Sequence, residues 1–157
     1  MNYDGNYKMN PPLRTQEDID ALILGLKDGT IDCIASDHAP HSAEECEVEF
    51  ENIPNGIIGL ETSIGAVLTL LYHKHGFSLS DIIRLMSTNP RKLLGLAQVE
   101  FAVGCPANIT IFNPTKKWIV DANKFQTLCR NTPFNGIEFV GCPVYIINNR
   151  QVVKTVL

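Results

Sequence analysis

The stretch Ile34-Ala35-Ser36-Asp37-His38-Ala39-Pro40-His41 sets a carboxylate and two imidazoles close together, directly after a short apolar run. A carboxylate in that place projects from the C-terminal end of the strand that the run predicts, the face where a parallel βα barrel builds its active site. Asp37 there can ligate a metal, act as a general base, or do both in succession. It can equally cap the turn that follows, with His38 and His41 as ordinary loop residues.

Two other places invite a chemical reading. His73-Lys74-His75 has H-x-H spacing, but the amphipathic pattern around it predicts a helix. Residues two apart on a helix point about 200° apart, so the two rings cannot readily share one ion. Asn10-Pro11-Pro12 fixes a loop geometry in which the Asn10 amide can face a ligand or simply hold a turn. Neither phosphate-binding glycine pattern occurs, and no G-x-S-x-G elbow is present.

The elements that must carry these residues follow from periodicity. Thr15 as N-cap, Glu17 and Asp18 in the first turn and Gly29 as a stop predict a helix over 16–27, with Ile19, Leu22, Ile23 and Leu26 as its apolar stripe. Asn6–Met9 and Ile31–Ser36 are expected as strands, the second buried in a parallel sheet. Residues 42–56, with five glutamates, read as a solvated acidic loop. Helices are predicted from Leu60 to His75, with Leu60, Ile64, Val67, Leu68 and Leu71 on one side, from a capping box at Ser78 to Met86, and from Asn89-Pro90 to Gly95. Beyond Gly104 the pattern turns to short strands near 107–112, 117–120, 136–140, 144–147 and 151–156, with a tight turn at Asn148-Asn149.

Length and composition bound the rest. The 157 residues are 45% hydrophobic and 19% charged, enough for a packed core. A net charge of -4 excludes the basic footprint of a nucleic-acid binder. No apolar run is long enough to span a membrane, and residues 1–5 lack the basic leader of a secretory signal, so a cytoplasmic setting is expected. The five cysteines form no C-x-x-C pair and are expected as packed thiols.

Read together, Met9–Arg14, Asp28–Asp32, Ser36–His41 and Asn55–Thr62 resemble bacterial-type dihydroorotase of the amidohydrolase superfamily. The likeness continues through Thr88-Asn89-Pro90, Leu94–Leu96, Gly104–Asn108 and Asn131–Phe134, and Asp-His-Ala-Pro-His is its most specific string. Hydantoinases and allantoinases share the Asp and first His, which leaves another cyclic-amide hydrolase as an alternative.

The resemblance implies an α/β fold: residues 1–100 as the C-terminal fragment of a (β/α)8 TIM barrel, about its last two βα units, and 101–157 as a small β-sandwich-like tail. It implies interconversion of dihydroorotate and N-carbamoyl-L-aspartate, a step of pyrimidine synthesis. Asp37 would ligate zinc and shuttle a proton between the attacking water and the ring nitrogen. Asn10, His41, Asn55 and Gly56 would bind the substrate, and His38 would be structural. The family's other metal ligands have no counterpart here, and a barrel takes roughly 250 residues. The chain is therefore expected to be inactive alone and completed by an N-terminal chain or by self-association. A non-catalytic partner of aspartate transcarbamoylase is the further alternative.

Overall fold

A computed structural model describes residues 3–148 and 150–155. Helix α1 spans Gln16–Asp28. Its start is a reciprocal cap, in which the Thr15 hydroxyl accepts from the Asp18 amide while the Asp18 carboxylate accepts from Thr15. Gly29 ends the helix at φ +85°, a left-handed conformation that glycine adopts without a Cβ penalty. The expected apolar stripe is only partly used. Ile23 is buried and Leu26 packs beside it, whereas Ile19 is exposed and Leu22 is 55% exposed. The remainder of the described chain covers one flank of this helix only.

The expected strand over 31–36 is absent, because a strand needs a ladder partner and none lies alongside. Ile34 N–H donates to the Leu85 carbonyl, and the sole parallel pairing among the described residues is the single bridge His38–Ile57. Asn6–Met9 is likewise not a strand. Gly5–Tyr7 forms a 3-10 turn capped by Asp4. Within the acidic loop a one-turn helix, α2 (Ala43–Cys46), is held by a Ser42–Glu45 capping box.

Helix α3 (Ser63–Val67) runs on as a π-helical segment over Leu68–Lys74, and α4 (Leu79–Ile83) does the same over Arg84–Thr88 before α5 (Asn89–Leu93). Leu60 precedes the first of these and is exposed. Asn89 is not the N-cap expected of it. Its backbone is helical, and its side-chain amide donates to the Asp32 carbonyl at 2.7 Å. A proline inside a helix lacks an N–H and crowds the carbonyl four residues back. The wider π turn just before Pro90 lets the helix pass through it unbroken.

The tail is one antiparallel sheet in the order β1 (Asn108–Ile119), β2 (Glu138–Asn148), β3 (Gln151–Lys154). Two pairs of expected strands thus merge into single longer ones. β1 absorbs Asn113-Pro114 as an irregularity between Asn113 and Lys117, where the Asn113 side chain accepts from the Thr115 and Lys116 amides. β2 and β3 pair from Tyr145–Lys154 to Asn148–Gln151. Asn149 of the expected turn lies outside the described residues, as does the end of the last expected strand.

Two apolar clusters support these elements. Ile23, Leu68, Leu71, Phe77, Ile82 and Leu85 form one under the helices. Ile58, Val120, Ala122, Phe125 and Phe139 form the other, between the tail and residues 56–59. Gly65 lets helix α3 lie close against the tail, since a Cβ there would stand 3.0 Å from both Phe139 and Trp118.

The caps make a prediction about acid. Hydrogen bonds from Thr15 and Ser78 hold the Asp18 and Asp81 carboxyls below the ordinary aspartate value of 3.8. A depressed folded-state pKa gives stability that is present above the unfolded value and is lost as pH falls through the folded one. Melting temperature should therefore drop on acidification below about pH 4, and Asp81→Asn should flatten that drop. An unchanged acid limb in Asp81→Asn would show that the Asp81 charge plays no part.

Candidate active site

Asp37 follows the apolar segment Ile31–Ser36, and its backbone sits at φ +43°. That is the left-handed region, sparsely used by residues with a side chain but tolerated by Asp and Asn. Two contacts hold the turn. His38 pairs with Ile57 in the parallel bridge, and its Nδ1 accepts from the Gly59 and Leu60 amides at 3.0 and 3.4 Å. An Nδ1 that accepts puts the proton of the neutral ring on Nε2, so His38 holds backbone. Gly59 passes so close to Ser36 that a Cβ would stand 2.8 Å from its carbonyl oxygen. Asp37 itself is exposed and makes no hydrogen bond or ion pair among the described residues.

Past the turn, His41 meets the loop at 55–56. Its Nε2 lies 3.0 Å from the Asn55 carbonyl oxygen. A carbonyl only accepts, so Nε2 carries a proton and Nδ1 is left for another partner. Gly56, at φ +104°, donates its N–H to the Lys8 carbonyl and lies against Ala39, whose Cβ would be 2.7 Å from a Gly56 Cβ. Lys8 in turn donates to the carbonyls of Phe50, Glu51 and Ile53 and so closes the acidic loop. Asn10 follows two residues later, exposed and joined to Pro11 by a cis peptide bond.

The structure therefore brings His41, Asn55 and Gly56 together, whereas Asn10 lies two residues beyond Lys8 and makes no hydrogen bond to them among the described residues. Asp37 stands on the same loop as His41 but apart from that cluster. His73 is elsewhere, bonded to the Pro114 carbonyl at 2.7 Å. Sequence reasoning missed Asn131 as a separate participant. It is buried and bonded to both loops, and only its place in Asn131–Phe134 marked it. A small cleft of about 60 Å³ opens between these parts, lined by Asn6, His41, Cys46, Ile53, Gly56 and Asn131 among others. Burial, then the Glu45 charge, pushes the Cys46 thiol up, away from the thiolate a nucleophile needs.

Chemically the arrangement offers one exposed carboxylate, one imidazole with a ring nitrogen open, and backbone groups of a tight turn. It does not by itself offer a metal centre. Among the described residues no three His, Cys, Asp or Glu side chains come together to hold an ion. A catalytic zinc takes about three protein ligands.

Comparison with known proteins places these residues in a wider frame. Residues 9–152 match the amidohydrolase family. The dihydroorotase of Geobacter sp. (strain M21) is 46% identical over 151 residues, 96% of this chain and 35% of that protein. The dihydroorotase of Chlorobaculum tepidum is 47% identical over 149 residues, 95% of this chain and 34% of that protein. Among solved structures, an L-hydantoinase (dihydropyrimidinase) from Arthrobacter aurescens superposes with a TM-score of 0.86 at 33% identity, over 96% of this chain and 35% of its own. The chain thus spans about a third of the length of the curated relatives it matches.

Proposed function

The chain belongs to the amidohydrolase family, and we propose that it is the C-terminal part of a dihydroorotase. The observation that carries this reading is the 46% identity to a dihydroorotase across 96% of the chain. The grouping of His41, Asn55 and Gly56 adds geometric support.

In this reading the reaction is the reversible hydrolysis of the ring amide of L-dihydroorotate to N-carbamoyl-L-aspartate, in pyrimidine biosynthesis in the cytoplasm. Water adds to the amide carbonyl and the ring C–N bond breaks. Asp37 takes the proton from the attacking water and returns it to the departing ring nitrogen, which leaves the carboxylate as it began. His41, through the ring nitrogen not engaged by Asn55, and Asn10, through its amide, bind substrate polar groups. The backbone of Asn55 and Gly56 meets the ring or its carboxylate.

The described residues do not supply a zinc site by themselves, so no step is routed through one. Asp37 is its one candidate ligand here, and the remainder would come from the part of the relatives' length that this chain does not span. Residues 1–100 are read as about the last two βα units of a barrel and 101–157 as the β tail. The unpaired segment after α1, the exposed flank of α1 and Phe101, 91% exposed, are what a partial barrel would leave open. An N-terminal complementing chain is the partner that best closes them. Self-association and aspartate transcarbamoylase are the other partners the reading admits. No described helix is long and apolar enough to cross a membrane.

The structural likeness to hydantoinases favours a second reading, in which the cyclic amide is a hydantoin. One experiment separates them. The chain is mixed with the N-terminal segment of the Geobacter sp. relative that it does not match, in the presence of zinc, to give a reconstituted enzyme. Hydrolysis of dihydroorotate, hydantoin and allantoin is then followed. Dihydroorotate turnover on mixing and silence of either part alone are expected. Preference for hydantoin would replace the first reading with the second. Silence on all three substrates would reject both.

A further inference from the structure

Asn131 makes more connections across the candidate site than any residue assigned to it above. It is 7% exposed, and each end of its side chain is satisfied. Oδ1 accepts the His41 N–H at 3.2 Å. Nδ2 donates to the Ala39 carbonyl at 2.8 Å and the Gly56 carbonyl at 3.2 Å. Its backbone carbonyl accepts the Ile58 N–H at 3.1 Å. The two loops it joins are the one that carries Asp37 and His41 and the one that carries Asn55 and Gly56. The His41–Asn55 bond closes the far side, so backbone, imidazole and amide form a closed ring of hydrogen bonds.

The polarity of that ring is specific. Turning the amide over would set Oδ1 against two carbonyl oxygens and Nδ2 against an N–H. A carboxylate would do half of that harm in either orientation, because it has no hydrogen to give. Burial makes each lost partner costly, since the freed carbonyl is left without water. A volume-filling role alone would not need this arrangement.

We infer that Asn131 is a positioning residue that locks His41 and the Asn55-Gly56 backbone into a single contact surface for the cyclic-amide substrate. It touches neither the reacting atoms nor Asp37, so it acts on substrate binding and leaves the proton shuttle intact. This inference rests on the dihydroorotase reading above and adds to it the residue that sets the binding geometry.

The test uses Asn131→Asp, equal in size but without the donor, in the reconstituted enzyme. KM for dihydroorotate is expected to rise about tenfold or more, with kcat changed by less than about threefold, the pattern of a loss confined to binding. In the same sample the His41 amide should exchange with solvent about tenfold faster, while the Leu85 amide in the core keeps its protection. A cycle with His41→Ala should be non-additive, since residues acting through one network couple. Where the aspartate variant does not fold, Asn131→Ser, which removes the amide and admits water, takes its place with the same readouts.

Wild-type turnover with an unchanged KM in the variant overturns the inference and leaves the dihydroorotase reading standing. An equal loss of kcat, or additive behaviour with His41→Ala, overturns it too, because a general structural role then suffices. An inactive wild-type mixture rejects the functional reading, and the inference falls with it. That failure is recognised in the wild-type arm before any variant is compared.

Discussion

Asp37→Asn lowers dihydroorotate turnover by the reconstituted enzyme about 10²–10⁴-fold, the range over which a positioned acid–base group acts. The amide has nearly the shape of the carboxylate but cannot take the proton from water. Folding should be unaffected, because Asp37 is exposed and bonds to nothing among the described residues. Asparagine also tolerates the left-handed backbone at φ +43°. Asp37→Ala is the companion variant. It should lose as much activity with little change in stability, because Asp37 already carries a Cβ in that conformation and its side chain has no bond to lose among the described residues. Steady-state kinetics and a melting curve on each variant read the two effects separately. Turnover within threefold of wild type in Asp37→Asn would remove Asp37 from the chemistry.

The largest loss of stability should come from Leu68→Ala. Leu68 is fully buried in the helical cluster and also lies against the tail, where a Cβ on Gly141 would approach its Cδ1 to 2.5 Å. Truncation therefore opens a void where helix and sheet touch, and rigid backbone on the Gly141 side limits collapse into it. Leu→Ala changes in such places cost about 2.7–5 kcal/mol, a large share of the roughly 5–15 kcal/mol that holds a domain together. Urea denaturation should show the midpoint falling by a corresponding amount. A loss below about 1 kcal/mol would mean that the two layers close over the gap.

What was legible in the sequence was whatever depended on near neighbours. Thr15 and Ser78 announce their capping boxes because each partner is three residues away, and Gly29 marks the end of α1 by backbone freedom alone. The misreadings share a cause. Ile31–Ser36 has the texture of a buried strand, but pairing requires a neighbour, and composition does not supply one. Asn89-Pro90 has the signature of a helix start, yet the π turn at Arg84–Thr88 carries the helix through it. Leu22 has the spacing of a core residue and stays exposed because nothing in the described chain covers that side of α1. At the site, Asp37 and His41 stood out by residue type. Asn131 did not, because its importance lies in partners as far as 92 residues away.

That separation governs the order of assembly during synthesis. The cap of α1 and the helical turns that follow can form as soon as their own residues emerge. The His41–Asn131 bond joins positions 90 residues apart. At about 5–20 residues per second, the ribosome takes on the order of ten seconds to deliver the second partner after the first. Through that interval the 39–41 and 55–58 loops lack their common anchor, and closing so long a loop adds its own entropic delay. The candidate site thus gains its anchor only after Asn131 has emerged, and a nascent chain that stops short of Asn131 carries Asp37 and His41 without a shared anchor between their loops.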